Sequence, residues 1–119
     1  MRLATTSASL QAMRHNWELL AAEFDAISSK PDGMQDLLSM SWALKMNNLK
    51  IGSSRLVVEV VNQAMLACGL NGYRNDSPFS LSRHLRDAHS AQLMVNNDRI
   101  LANTARLQLA LREEPELFQ

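Results

Sequence analysis

A three-four alternation of mostly apolar residues runs without interruption through Leu37, Met40, Leu44, Asn47, Ile51, Ser54, Val58, Val61, Met65 and Cys68. Residues at that spacing share one face of an α-helix and cannot share one face of a strand. The pattern predicts a long helix over about Met34 to Cys68. Trp42, Leu49, Leu56, Val57 and Val60 are apolar away from this seam. A helix that is apolar on more than one side is touched by several neighbours. The helix is therefore expected to be central, with Asn47 and Ser54 as the polar members of its seam. Gly52, in its middle, costs about 1 kcal/mol relative to alanine. It marks either close approach by another helix or a kink.

The remaining elements are shorter. Leu10, Met13, Trp17, Leu20, Phe24 and Ile27 form a stripe that predicts a first helix over about Ser7 to Ser29, capped by Thr6 or Ser7. "SSKPDG" ends it, because Lys30 before Pro31 is pushed out of helical geometry and Asp32-Gly33 is a turn signal. "GLNGYRNDSP", Gly69 to Pro78, is the one substantial loop, with Gly69 placed to cap the long helix in a left-handed conformation. A third helix is expected over about Phe79 to Leu93, with Phe79, Leu81, Leu85, Ala88 and Leu93 as its apolar members. A last helix fits Asn97 to Arg112, with Ile100, Leu101, Thr104, Leu107 and Leu111 inward, followed by "EEPELFQ" as a fraying tail. The fold class is all-α: a single domain over residues 1–119, an antiparallel up-down four-helix bundle with one long central helix. Three short partners leave part of the central helix uncovered. Exposed apolar patches of that kind mark interfaces, so a homo-oligomer, a dimer, is expected.

Charge and composition exclude several classes of function. Twelve basic and twelve acidic side chains cancel, and no basic stripe appears, so the footprint of a nucleic-acid binder is missing. The single cysteine, Cys68, allows no internal disulfide and fits a reducing compartment. Its place at the end of the seam predicts a buried apolar cysteine rather than a nucleophile. No apolar run approaches the ~18 to 20 residues of a membrane span. "MRLATTSASLQ" carries no apolar core of a secretory signal, so a cytoplasmic location is expected.

Polar residues concentrate in "RHLRDAHSAQLMVNNDRI", Arg83 to Ile100. Of the three histidines, His15, His84 and His89, the last two lie five apart. That is about 140° around a helix, unlike the one-face pair of a helical zinc site. With no HExxH or ExxH motif, no metal site is expected. No GxSxG, GxxxxGK[ST] or GxGxxG occurs either. Arg83, Arg86 and Asp87 fall within one helical turn. They read as an ion-pair network tying this helix to the long one, or as an arginine fork for a phosphate or carboxylate. Asn96 or Asn97 is expected to cap the last helix, with Asp98 favourably placed near its N-terminus.

The order "AMLACGLNGYRNDSPFS", then "RHLRDA", then "LMVNNDRI" resembles the C-terminal helical domain of the flavin-dependent acyl-CoA dehydrogenases. In that family a long helix ends in an "LGGxGY"-like loop, a helix with an "RDA"-like motif follows, and an "xxEGTxxI" segment leads into the final helix. Cys68 to Tyr73 resembles the loop, Arg86-Asp87-Ala88 the motif, and Ile100 the closing isoleucine. The resemblance covers about Trp42 to Leu111. It implies that the bundle makes subunit contacts and closes one side of a flavin and acyl-thioester site, with the glycine loop approaching a neighbouring subunit's FAD. By resemblance, Gly69, Leu70, Gly72, Asn96 and Asn97 are the cofactor-binding positions.

Several positions depart from the family. Val95 stands where many members have the catalytic glutamate, and Asn96 and Asn97 stand at the glycine and threonine of "EGT". Valine cannot abstract a proton. Leu70 replaces the loop's second glycine. Some relatives carry the base on an earlier helix, and some run flavin oxygenation without one. No firm catalytic residue emerges. His89 is the remaining acid–base candidate, against a plain surface histidine. The family's full architecture adds an N-terminal helical domain and a middle β-domain. The resemblance therefore implies the C-terminal portion of such a flavoprotein, or a stand-alone non-catalytic helical scaffold derived from it. FAD is expected only in the full-length enzyme or with a flavoprotein N-terminal half as partner.

Overall fold

The computed structural model describes residues 1–111, which are helical with no strand. The elements are α1 (Arg2–Ser28), α2 (Gly33–Leu37), α3 (Met40–Cys68), α4 (Leu70–Tyr73), α5 (Ser82–Met94) and α6 (Asn97–Leu111). As expected, α3 is central: α1, α5 and α6 each pack along it. α1 runs antiparallel to α3. At one end the Arg2 guanidinium donates to Leu66 O at 3.0 Å, and Ser9 Oγ donates to Glu59 Oε1 at 3.3 Å. At the other, Lys45 pairs with Glu23 at 2.9 Å, and the Phe24 and Trp42 rings lie 6.4 Å apart. α5 is also antiparallel to α3. It starts where Leu81 N–H donates to Gly72 O at 2.7 Å and ends beside Lys50 and Ser54. α6 packs on α3 but scarcely touches α5, so these two do not close into a hairpin.

The expected boundaries shift for local reasons. α1 begins at Arg2 rather than near Ser7. Thr6 and Ser7 therefore lie inside the helix and do not cap it, and the Thr6 hydroxyl donates back to Arg2 O. The long helix is broken at its start. Ser39 is extended at φ −70°, ψ 156°, and its Oγ accepts from Trp42 N–H at 3.2 Å, an N-cap that sets α3 apart from α2. Gly69 does take positive φ, at 64°, but with ψ −141° it lies outside the left-handed helical well. That region is open essentially to glycine alone. The expected loop folds its first residues into α4. Gly72 is required there, because a Cβ would meet that of Cys68 at 2.8 Å. α5 begins at Ser82, leaving Phe79 exposed outside it. Arg112 and the "EEPELFQ" tail lie outside the described residues.

The interior is thin. Leu20, Trp42, Leu44, Ile51, Ala88 and Leu111 are its buried apolar members, with Ser54 and Thr104 as buried polar ones. Among the described residues no side chain falls below 2 % exposure. The α1 stripe is only partly covered, with Trp17 51 % exposed and Phe24 nearly as open. Cys68, in the last turn of α3, is exposed, against the expectation of a buried thiol. Leu93 and Met94 at the end of α5 are exposed as well.

Candidate functional site

Two regions carry the residues that the sequence singles out. The first is the joint between α5 and α6. Val95 is extended at φ −120°, ψ 106° and more than half exposed, so no carboxylate or other titratable group stands at that position. Asn96 Oδ1 accepts from Asp98 N–H at 2.8 Å, the expected cap of α6, and Asp98 lies in its first turn. Asn97 faces α3. Its Nδ2 donates to Ser54 Oγ at 3.0 Å, and its Oδ1 accepts from the Lys50 ammonium. Lys50 Nζ also donates to Ala91 O at 2.5 Å and Val95 O at 2.7 Å, and Gln92 Nε2 donates to Ser54 O at 3.4 Å. A cation on the last carbonyls of α5 meets the negative end of its dipole.

Lys50 was invisible to pattern reading because it lies next to the apolar seam rather than on it. The signal was the polar Ser54 inside that seam, one turn beyond Lys50 on the same side of the helix. A polar residue at a buried position needs a partner, and the partner brings its own network.

The second region is the glycine loop. Gly69 is exposed, and a Cβ built on it would meet nothing within 4 Å. The N–H groups of Leu70 and Asn71 donate to no backbone carbonyl. Leu66, Leu70 and Tyr73 expose their side chains here, and Leu3 lies one residue from Arg2, which reaches Leu66 O. Arg74 grips Asp76 through Nε and Nη2 at 2.9 and 2.8 Å, and this guanidinium holds the Asp76 carboxyl below its usual range.

These two regions are not one site in a single chain. Fifteen residues of helix separate Ser54 from Gly69, about 22 Å at 1.5 Å per residue. Gly69, Leu70 and Gly72 are therefore brought together, and so are Asn96 and Asn97, but the groups stand apart. The Arg83–Asp87 pair stays within α5 at 3.8 Å, with side chains 90 % and 67 % exposed. It does not tie α5 to α3, because both residues lie on the outer face. Arg86 makes no ion pair among the described residues, and His89 is exposed on α5. No group of three metal-ligating side chains occurs among the described residues, and no described helix is long and apolar enough to cross a membrane.

A model of the family described as acyl-CoA dehydrogenase, C-terminal domain, matches residues 1–98. No curated protein and no solved structure matches the chain. The family match takes in α1 as well as the loop, the Arg86-Asp87-Ala88 helix and the start of the joint, so it extends the likeness of the motifs toward the N-terminus. The chain belongs to the acyl-CoA dehydrogenase family, through its C-terminal domain.

Proposed function

We propose that the chain is the oligomerising, flavin-site-completing helical portion of an acyl-CoA dehydrogenase-like flavoprotein that acts on an acyl thioester. The observation that carries this reading is the uncovered apolar surface of a family member. Leu66, Leu70, Tyr73 and Leu3 are exposed together at the glycine-loop end, and Trp17, Phe24 and Met40 are open along the opposite part of α1 and α3. A surface of this kind is stable in water when a partner covers it. A second copy forming a homodimer is the partner this reading assigns.

The residues fit a flavin unevenly. Gly69 presents an open backbone, and Leu70 and Asn71 present N–H groups without a partner among the described residues, to a neighbouring subunit, and Gly72 holds the turn that shapes them. Asn96 and Asn97 are engaged within the chain, capping α6 and bonding Ser54 and Lys50, so they shape the joint rather than reach outward. When bound, the flavin supplies the two-electron exchange; this chain supplies shape and exclusion of water. Val95 favours a second reading. With no carboxylate at the family's base position, the parent protein is suited to flavin-dependent oxygenation, which dispenses with that base. A non-catalytic scaffold of the same fold is the third.

Flavin retention tests the proposal. Purified alone, the chain is expected to be colourless. Produced together with the N-terminal and middle domains of a flavoprotein of the family, it should co-purify in a yellow complex. Failure to form any complex would refute the flavin-completing role. A colourless complex would leave the scaffold reading in its place.

A further inference from the structure

The α5–α6 joint is not held by apolar packing. Leu93, Met94 and Val95 are all exposed, the link between the helices is only Val95 and Asn96, and α5 scarcely touches α6. What ties the joint to α3 is polar. Lys50 donates to Ala91 O, Val95 O and Asn97 Oδ1; Asn97 donates to Ser54; Gln92 donates to Ser54 O. An ammonium has three N–H donors and no acceptor, so these three oxygens use it completely.

We propose that Lys50 is a positioning residue, an electrostatic latch that fixes the α5–α6 joint on α3 and so sets where Val95 and the start of α6 stand. Three acceptors drawn from α5, the link and α6 converge on one cation from α3, so the joint moves only if that cation lets go. Loss of the ammonium would take the same donor from Ala91 O, Val95 O and the Asn97 amide oxygen together. Arginine cannot replace it, because a planar fork does not meet three acceptors gathered around a tetrahedral nitrogen.

That the joint bears on chemistry rests on the functional reading above, whereas the latch concerns this chain's own atoms. Amide hydrogen exchange reads the latch without flavin, so the two ideas fail separately. In Lys50→Met, the amides of Asp98 and Ile100, bonded to Asn96 Oδ1 and Asn96 O, are expected to exchange at least about tenfold faster, while those of α1 and of α3 around Glu59 keep their rates. In a Cys68→Ser background, Lys50→Cys alkylated to the aminoethyl thioether restores a terminal ammonium and should restore slow exchange, and Lys50→Arg should not. Uniform acceleration across all helices, unchanged joint amides in Lys50→Met, or failure of the aminoethyl rescue would overturn the proposal. If Lys50→Met does not fold, the wild-type chain decides. The Lys50 ammonium should give a slowly exchanging nitrogen-15 signal set apart from the other lysines, and a signal averaged with theirs would overturn the latch.

Discussion

Thr104 is buried on α6, and its hydroxyl finds no hydrogen-bond partner among the described residues. A buried polar group without a partner costs about 1 to 3 kcal/mol, and replacing it with an apolar group of the same shape removes that cost. Thr104→Val is therefore expected to raise stability by about 1 kcal/mol in urea unfolding; a loss of similar size would show that the hydroxyl is satisfied after all. Asp87 presents the opposite case. Its pair with Arg83 is long and exposed, and such pairs contribute about 0 to 1 kcal/mol. Asp87→Ala should leave the melting temperature nearly unchanged, and a drop of several degrees would mean that Asp87 has a buried partner. The sequence could group Arg83, Arg86 and Asp87 on one turn of helix. It could not say which way that turn faces, because α5 has few apolar residues to define its inner side.

Among the elements, the body of α3 and its end at Cys68 are legible because its period persists over so many turns. Its start was misread for a local reason. A serine N-cap breaks the backbone at Ser39, while Leu37 and Met40 carry the apolar spacing straight across the break. Gly52 suggests close approach by a helix or a kink, but close approach does not require glycine here: a Cβ would meet only Asn16 Nδ2 of α1, at 3.9 Å. That is ordinary contact, so the position tolerates a methyl group. Gly52→Ala should stabilise the chain by about 0.5 to 1 kcal/mol through helix propensity and a less free unfolded chain. Destabilisation on thermal melting would instead show that α1 must come closer than this. The glycine loop was readable as a loop, but its inner turn, α4, was not. Four residues are too few to show a period. The joint was half readable: the Asn96 cap follows from helix-start rules, while Lys50 depends on a contact across 41 to 47 positions that no local pattern encodes.

At the scale of the whole molecule, the described helices surround α3 without enclosing it. α1 covers one side and α5 and α6 another, and large apolar side chains stay open at both ends. The proposed assembly would cover these side chains. Apolar burial stabilises by roughly 25 cal/mol per Å². A dimer interface of standard size, about 800 Å² per partner, would therefore change the stability of so thin a core substantially. Sedimentation velocity of the purified chain across a micromolar dilution series tests this most directly. The account predicts a species of twice the chain mass that dissociates on dilution, with Leu66→Asp and Leu70→Asp shifting it to monomer. A wild-type chain that sediments as a folded monomer throughout the series would contradict it.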